Sequence, residues 1–506
     1  MDFTASEIGK IVRSAGRGLP AVRRAELREM LRALAPMKFT ARSGTPLRKL
    51  CAAGVAYGWS ELSREQSIRQ TGARARLNMR RHLLRKLESI TAPCLELEWT
   101  SFLLAADALG LSRTPDARSQ EPAFLRERPS HRLLLLFKRF PVLARLWSLA
   151  ILQWREQVLE VLERTARDRA ALSRVFFHAN AIGPIENLRL GLSDPHDGGR
   201  TVTLVEFEGG RVIYKPRSGR SESAWLEVLT LMNRHGFDPK LRAARVLDRG
   251  RYCWMEYVEA AACESRAGVR RFYQRLGGII AAAYLLKAVD CHRQNVIAAG
   301  EDPLLVDVDA LWHVSALTKT QSLTDVLYRT GFFPNSRRRT LQSRSSVLGW
   351  GTTGSHLPRL DGRVVTPGNY ANEIVRGFSR GWQSLLGTPR RRSLFLRKVR
   401  GIRSQPRRWI YQATERYAAI LHASVSPFAL QSERAREAII AGLCLRSSVR
   451  PAVIRAEREA LRRLDLPYFR RRTAESLPDD DRVAPSELRD AIRRTVVLLK
   501  RVAAKT

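Results

Sequence analysis

The chain has 506 residues and a formal net charge of +39 at pH 7, and 44% of its residues are hydrophobic. It is long enough for two or three domains. Its six scattered cysteines lack Cys-x-x-Cys spacing, which argues against a zinc cluster or a disulfide framework. The polar N-terminus carries no secretory signal, and the longest mostly apolar run, Leu276–Val289, is too short to span a bilayer. We therefore expect a cytoplasmic protein without a membrane span.

The positive charge comes mostly from arginine and would suit a polyanionic partner. The arginines are spread along the chain in short groups, such as Arg337–Arg339 and Arg390–Arg392, and no nucleic-acid-binding motif accompanies them. We predict no nucleic acid as a partner. Solvated helix faces and a basic surface for an acidic peptide both stay open as explanations.

The N-terminal part of the chain is predicted to be helical. Residues 1–125 have the pattern of an accessory helical region, with helices at Pro20–Leu34 and Glu61–Ile90. From Pro129 onwards apolar residues recur at helical spacing as far as about Asp168. This pattern predicts a second helical region, residues 126–185, that packs on the core.

A β-hairpin is predicted next. The turn-rich loop Gly191–Arg200 precedes two strands, Val202–Phe207 and Arg211–Lys215, joined by a Gly-Gly turn. A glycine loop can bring backbone N–H groups against phosphates, and a lysine at a strand end can reach a phosphate as a point charge. An ordinary hairpin that ends in an exposed lysine is the alternative.

The following elements lead to a polar loop. A helix at Ser221–His235 carries Glu222 and Glu227, and either could pair with Lys215, as the helix-borne Glu does in kinases. An apolar strand at Tyr252–Val258 follows. A helical apolar stripe from Phe272 to Ala283 then brings the chain to Asp290.

The stretch Val289–Trp312 contains the strongest chemical signal, because polar side chains that bind cations stand between apolar segments. Its period-2 alternation over Pro303–Asp309 places Asp307 and Asp309 on one face of a predicted strand. In phosphoryl transfer one Asp accepts the hydroxyl proton, while an Asn and a second Asp hold magnesium. A hairpin with merely solvated carboxylates is the alternative. The polar residues concerned are Asp290, His292, Asn295, Asp307 and Asp309.

Three motifs together resemble a known family. They are Tyr214-Lys-Pro-Arg-Ser, Asp290-Cys-His-Arg-Gln-Asn and Asp307-Val-Asp, and Asp465-Leu-Pro-Tyr-Phe adds to them. In this order they resemble the dehydratase domain of class II lanthipeptide synthetases, the LanM family, whose catalytic core is similar to a lipid kinase. The resemblance runs from about Pro129 to the C-terminus.

The resemblance implies a fold and a division into domains. The fold class would be α+β, mostly α overall, with a lipid-kinase-like, two-lobed catalytic core inside a large helical layer. The N-lobe would take residues 186–262 and the C-lobe residues 263–475, with activation and elimination segments. A C-terminal helix would occupy residues 476–506.

The resemblance also implies an activity with two half-reactions. ATP and Mg²⁺ would phosphorylate Ser or Thr of a ribosomal precursor peptide in a bacterial pathway, and elimination of the phosphate would then give dehydroalanine or dehydrobutyrine. The implied roles are nucleotide binding by Lys215, Arg217, Asp194 and His196, catalysis of phosphorylation by Asp290 and His292, magnesium binding by Asn295, Asp307 and Asp309, and elimination by Arg408 and Thr414.

This sequence departs from the family pattern at three places. Asp309 stands where Glu is common, and Gln412 stands where a second Arg is usual. The segment from Arg408 to Tyr417 also has the pattern of an ordinary amphipathic helix. The third departure is that no set of Cys and Cys-His zinc ligands follows Asp465. We therefore expect no zinc, and a separate cyclase if ring closure occurs. The alternatives are a kinase that stops at the phosphorylated product and a non-catalytic fragment that binds a leader peptide.

Overall fold

The computed structural model describes residues 4–37, 45–109, 129–312, 327, 329–333, 347–348, 354–403, 406–444 and 449–471. The predicted C-terminal helix lies outside the described residues. The predicted activation segment runs from about Gly331 to about Gly401, and its residues 334–346 and 349–353 lie outside them too.

The described chain is mostly helical, with short antiparallel strands. The helices are α1 Ala5–Ala15, α2 Ala21–Leu34, α3 Pro46–Leu62, α4 Gln66–Arg69, α5 Ala73–Ala108, α6 Pro129–Arg139, α7 Pro141–Phe176, α8 Arg220–Arg234, α9 Arg266–Leu285, α10 Ala371–Leu386, α11 Pro389–Arg403, α12 Thr414–Ala423, α13 Pro427–Gln431, α14 Glu433–Cys444 and α15 Pro451–Arg462. The strands are β1 Ile185–Arg189, β2 Thr203–Phe207, β3 Gly210–Lys215, β4 Val246–Asp248, β5 Cys253–Glu256, β6 Val296–Ala299, β7 Asp302–Leu305, β8 Arg359–Leu360, β9 Arg363–Val364, β10 Arg407–Trp409 and β11 Phe469–Arg471.

The chain divides into two compact units. Of the described residues, the first unit contains those up to Tyr214 and those of Tyr411–Tyr468, and the second contains those of Lys215–Ile410 and Phe469–Arg471. The boundary therefore falls inside β3, directly before its last residue, Lys215. The domain boundaries inferred from the resemblance stay predictions.

The first unit is built on two long helices, α5 and α7. Trp147 and Trp154 of α7 are buried, and their indole N–H groups donate to Thr91 Oγ1 and to the Met79 carbonyl oxygen of α5, at 2.8 and 3.0 Å. A buried indole usually needs such a partner. Gly54 of α3 lies so close to Trp147 that a Cβ there would be 2.6 Å from the ring. These contacts fix the helical layer of this unit.

The predicted N-terminal helices are confirmed in part. The helix expected at Pro20–Leu34 is α2. The single helix expected over Glu61–Ile90 is wrong, because α3 ends at Leu62 and α5 begins at Ala73. Gly72 precedes α5, and a Cβ there would lie 3.0 Å from the Glu186 carbonyl oxygen of β1. A close approach of two backbones thus interrupts the helical pattern.

The predicted hairpin before the unit boundary is confirmed. β2 and β3 pair antiparallel, with Thr203 opposite Tyr214 and Phe207 opposite Gly210. Gly210 has a φ of 144°, a conformation that glycine adopts without strain. β1 pairs antiparallel with β2 on its other edge. The turn chemistry of the sequence was sufficient to locate these strands.

In the second unit α9 and α10 cross at two glycines. A Cβ at Gly277 would lie 2.1 Å from the Ile374 carbonyl oxygen, and one at Gly377 would lie 1.8 Å from the Gln274 carbonyl oxygen. Both helices are largely buried here, and α9 ends just before the Asp290 loop. The glycines therefore set the distance at which the helix supporting that loop is packed.

Replacement of Gly377 by alanine is expected to lower the free energy of unfolding by about 1–3 kcal/mol, because the methyl group would overlap backbone atoms and force the helices apart. Gly401 of α11 is the matched control, since a Cβ there meets nothing within 4 Å. Alanine at Gly401 should be neutral or stabilising by up to about 1 kcal/mol. Denaturant unfolding measures both, and equal stabilities of the two variants would contradict this packing.

The predicted fold class is confirmed at the level of a mostly α-helical α+β protein. The likeness of its core to a lipid kinase stays a prediction. Among the described helices, none combines the length and the hydropathy that crossing a membrane requires.

Candidate functional site

The Asp290 loop has an uncommon backbone conformation. Asp290 has a φ of 67°, which few residues other than Gly, Asn and Asp adopt. The flanking amides hold it there, since Val289 N donates to the Ala310 carbonyl oxygen at 3.1 Å and Cys291 N to the Thr330 carbonyl oxygen at 2.9 Å. Backbone strain enforced by its surroundings is concentrated at functional sites. The positive φ therefore indicates that the direction of the Asp290 side chain is important for the function of this loop.

His292 and Asn295 are positioned by the same loop. A short 3₁₀ helix, Arg293–Asn295, follows His292, whose Nδ1 accepts from Gln294 N at 3.3 Å. Asn295 Nδ2 donates to the Asp290 carbonyl oxygen at 2.9 Å. His292 Nε2 lies 3.6 Å from Asp290 Oδ1. The loop therefore groups these three polar side chains before the chain enters β6.

The two further aspartates lie beyond the strand that was expected to carry them. β6 and β7 form the expected hairpin, but β7 ends at Leu305, so a strand reaching Asp309 is wrong. The physical reason is the register, because Leu305 pairs with Val296, the first residue of β6. Beyond that pair Val306 N still donates to the Asn295 carbonyl oxygen at 2.8 Å, but Asn295 belongs to the 3₁₀ helix Arg293–Asn295 and not to a strand. The carboxylates of Asp307 and Asp309 therefore lie beyond the strand and contact cationic side chains.

Lys215 is at the centre of these contacts. It is 4% exposed, and its Nζ donates to Glu222 Oε1 at 3.0 Å and to the Val306 carbonyl oxygen at 2.7 Å. Asp307 Oδ1 is 3.5 Å away. Of the two glutamates left open above, Glu222 is therefore the partner of Lys215. Glu227 is exposed and pairs with Lys398 at 2.6 Å.

Arg217 links the same carboxylates. Its Nη1 and Nη2 bind the two oxygens of Glu222 at 3.0 and 2.6 Å, a bidentate arrangement that suits the planar guanidinium. Nη2 also contacts Asp307 Oδ1, and Nε lies 3.5 Å from Asp309 Oδ2. One arginine thus touches three carboxylates and holds two of the predicted metal ligands in place.

These contacts keep the buried groups charged. Burial raises the pKa of Glu222, but Arg217 and Lys215 outweigh it and hold this pKa below its ordinary value. Burial also raises the pKa of Asp307, yet the cations around it, Arg408 included, hold it far below the ordinary range. The pKa of Lys215 is lowered by burial but raised overall by Asp307 and Glu222.

Replacement of Glu222 by glutamine should lower the free energy of unfolding at pH 7 by about 3–5 kcal/mol, because it leaves two buried cations short of a counter-charge. The pH dependence has a definite sign. Since folding lowers the pKa of Glu222, its contribution is complete above the unfolded value near 4.3 and is lost as the pH falls. The variant should therefore lose less stability than the wild type between about pH 5 and pH 3.

Glu227→Gln is the matched control for this measurement. Its side chain is 55% exposed and its pair with Lys398 lies at the surface, so we expect a change in the free energy of unfolding below about 1 kcal/mol. Equal losses for the two glutamine variants in denaturant unfolding would contradict the assignment of Glu222.

Arg408 enters the site from a strand. The helix expected over Arg408–Tyr417 is wrong, because Arg407–Trp409 form β10, which pairs with β11, and α12 begins only at Thr414. Arg408 N donates to the Asp309 carbonyl oxygen at 3.3 Å. Its Nη1 lies 3.5 Å from Asp290 Oδ2 and 3.6 Å from Asp309 Oδ2. The arginine predicted for elimination and the aspartate predicted for phosphorylation are therefore neighbours.

The donor chemistry of the site fits a hard cation. Asp307 and Asp309 offer carboxylate oxygens, and Asn295 offers Oδ1 because its Nδ2 is bound to Asp290. Magnesium at nucleotide sites is commonly bound by one or two carboxylates together with phosphate oxygens. Within the described ranges, no group of three or more His, Cys, Asp or Glu is placed to hold a metal. The magnesium assignment stays a prediction.

The glycine loop of the first unit has a partner that sequence reasoning missed. Asp465 is 1% exposed, and its carboxylate accepts the backbone N–H groups of Gly198 and Gly199, both at 2.7 Å. The adjacent Leu466 carbonyl oxygen is 2.7 Å from His196 Nδ1. A carboxylate of the chain thus occupies two N–H groups of the loop that could otherwise face a phosphate. The Asp465-Leu-Pro-Tyr-Phe motif was the available signal, but it indicated no role.

Asp194 and Thr414 also belong to the first unit. Asp194 is exposed, and Thr414 is the half-buried first residue of α12. Just before it, Gln412 has a buried Oε1 for which the described residues supply no hydrogen bond. The roles inferred for Asp194, His196 and Thr414 stay predictions.

The chain is similar to a known family and to a named protein. A family described as "Domain of unknown function (DUF4135)" matches residues 140–355 and 350–472. The "Lacticin 481/lactococcin biosynthesis protein LcnDR2" of Lactococcus lactis subsp. lactis is 23% identical over 326 residues, which cover 54% of this chain and 35% of that protein. The match therefore spans about a third of the relative's length.

Proposed function

The chain belongs to the DUF4135 family, which is found in LanM-type lanthipeptide synthetases and so confirms the resemblance, and on that premise we propose that it dehydrates Ser and Thr of a ribosomal precursor peptide in two steps. ATP first phosphorylates the side-chain hydroxyl. Elimination of the phosphate then gives dehydroalanine or dehydrobutyrine. The similarity to a lacticin 481/lactococcin biosynthesis protein supports a role in lantibiotic biosynthesis.

The observation that carries the proposal is the buried Lys215–Glu222 pair beside Asp307. In kinases a strand lysine paired with a helix glutamate binds nucleotide phosphates, and a nearby Asp holds the metal. Here Lys215 is 3.0 Å from Glu222 and 3.5 Å from Asp307. The pair supports the assignment of Lys215 and Arg217 to nucleotide binding, since both would offer cations to the β- and γ-phosphates.

Asp290 is the proposed acceptor of the substrate hydroxyl proton. Its side chain is 33% exposed, so a substrate can approach it, and the flanking backbone hydrogen bonds fix its direction. His292, 3.6 Å from Asp290 Oδ1, would orient the carboxylate and the substrate. The γ-phosphoryl group would pass to the substrate oxygen while the hydroxyl proton passes to Asp290.

Magnesium would be held by Asn295 Oδ1 and the carboxylates of Asp307 and Asp309. When bound, it would neutralise negative charge on the phosphates. Arg217 contacts both aspartates, so its guanidinium would have to yield part of these contacts, and it could then bind phosphate oxygens. Magnesium and Arg217 therefore compete for the same carboxylates in this account.

Arg408 is the proposed group that stabilises the departing phosphate. Its guanidinium binds Asp290 and Asp309 from one side, and arginine suits phosphate because its planar fork binds two oxygens at once. The elimination role of Thr414 stays a prediction that rests on the family resemblance alone. A separate cyclase as partner and a cytoplasmic location likewise stay predictions.

The proposal is tested by incubating the protein with the precursor peptide encoded beside it, ATP and Mg²⁺, followed by mass spectrometry of the peptide. Loss of water per modified residue is the expected result. A peptide that gains phosphate and never loses it would replace the proposal by a kinase, an outcome compatible with Gln412 standing where the family has Arg. Binding without any change in mass would indicate a non-catalytic fragment.

A further inference from the structure

The ribbon formed by β10 and β11 places arginines directly opposite each other. Arg408 pairs with Arg470, and Arg407 pairs with Arg471, while Trp409 faces Phe469 at the end of the ladder. Residues directly opposite in an antiparallel pair have side chains on the same face of the sheet. Arg470 therefore lies on the face of the ribbon that carries Arg408.

The position of Arg470 suits a shared ligand. Opposite residues have Cβ atoms about 4.5–5.5 Å apart, which allows two guanidinium groups to bind oxygens of one phosphate. Arg470 is exposed, whereas the Arg408 side chain is only 15% exposed and contacts Asp290 and Asp309. One arginine thus reaches into the acidic cluster, and the other lies beside it at the solvent-facing side.

We propose that Arg470 is the second phosphate-binding arginine of this chain and acts with Arg408 on the phosphate that leaves the modified residue. This inference rests on the proposed function. It would explain how elimination proceeds although Gln412 stands where the family usually has a second Arg, because the missing guanidinium is supplied by the neighbouring strand.

The step is balanced without a further reagent. A base of the enzyme takes the Cα proton of phosphoserine or phosphothreonine, the electron pair forms the Cα–Cβ double bond, and the Cβ–O bond breaks. The bonding pair leaves with the phosphate, whose growing negative charge is bound by Arg408 and Arg470. Arg470 is a phosphate ligand in this account and takes no proton.

The test uses the full chain and the precursor peptide, and follows phosphorylated and dehydrated peptide over time. Arg470→Gln should leave the rate of ADP formation within about twofold of wild type and slow elimination by about 10- to 100-fold, the scale of a lost charge-assisted hydrogen bond. Phosphopeptide should therefore accumulate. Arg470→Lys keeps the charge but not the bidentate geometry, so its rate of elimination should lie between those of Arg470→Gln and wild type.

Arg363→Gln is the matched control, because Arg363 is an exposed arginine on another two-stranded ribbon of the same unit but lies opposite Leu360. It should behave as wild type. Equal ratios of phosphorylated to dehydrated peptide for Arg470→Gln and Arg363→Gln would overturn the inference, and so would equal loss of both steps in Arg470→Gln. If the wild type itself released no phosphate from the peptide, the proposed function would fail independently.

Discussion

Replacement of Asp290 by asparagine is expected to slow phosphate transfer to the precursor peptide by about 10²- to 10⁴-fold, the usual contribution of a general base. Asparagine keeps the size of the side chain and tolerates the left-handed backbone, where Asp290 has a φ of 67°. It cannot accept the hydroxyl proton. ADP formation that depends on the peptide measures the step, and unfolding of the variant should match that of the wild type within about 1 kcal/mol.

Asp361→Asn controls for the backbone conformation. Asp361 also has a positive φ, 51°, and lies in the exposed turn between β8 and β9. This variant should transfer phosphate at the wild-type rate. Full activity of Asp290→Asn, or equal losses in the two variants, would remove the catalytic role from Asp290.

Replacement of Arg408 by methionine is expected to convert the main product from dehydrated peptide to phosphopeptide. Methionine fills a similar volume but provides no charge for the leaving phosphate, and loss of one such donor typically costs about 10²- to 10³-fold. Arg408 Nη1 is also 3.5 Å from Asp290 Oδ2. Phosphorylation should therefore slow as well, but by a smaller factor. Quantitative mass spectrometry of both peptide forms over time separates the two effects.

Arg408→Lys provides the comparison that distinguishes charge from geometry. Lysine retains the positive charge next to Asp290 and Asp309 but not the bidentate fork. Phosphorylation should then recover toward the wild-type rate, while elimination stays impaired. An unchanged ratio of dehydrated to phosphorylated peptide in the methionine variant would exclude Arg408 from elimination.

Local sequence patterns were sufficient where neighbouring residues determine the structure. The Gly-Gly turn located β2 and β3, so the position of Lys215 at a strand end followed directly. The apolar stripe of α9 is buried as expected and ends shortly before Asp290. Turn chemistry and helical periodicity act over a few residues, and both can be seen in one sequence.

The other features of the site could not be predicted, because they depend on contacts between distant parts of the chain. Glu222 and Glu227 lie on one helix, and only tertiary packing buries the first beside Lys215 and exposes the second. The strand β10 forms because Phe469–Arg471 returns to pair with it, which overrides the helical pattern after Arg408. The same return places Arg470 opposite Arg408, a relation that no local pattern in this sequence indicates.

The positions of Asp307 and Asp309 likewise depend on contacts that a local sequence pattern does not reveal. Alternation correctly grouped Asp307 with Asp309, but the hairpin register ended the strand before either of them. Arg217 contacts both aspartates, and its bridging role could not be predicted because it joins residues some ninety positions apart. Charge pairing, rather than the β ladder, therefore determines the arrangement of the proposed metal ligands.

The central claim, phosphorylation followed by elimination at one site, is tested most directly by the fate of the γ-phosphate. With γ-labelled ATP, Mg²⁺ and precursor peptide, we predict that label appears first on the peptide and then as free phosphate, in step with dehydration. In Arg408→Met the label should stay on the peptide. Dehydrated peptide formed without labelled peptide at any time, or label that stays on the peptide in the wild type, would contradict the account.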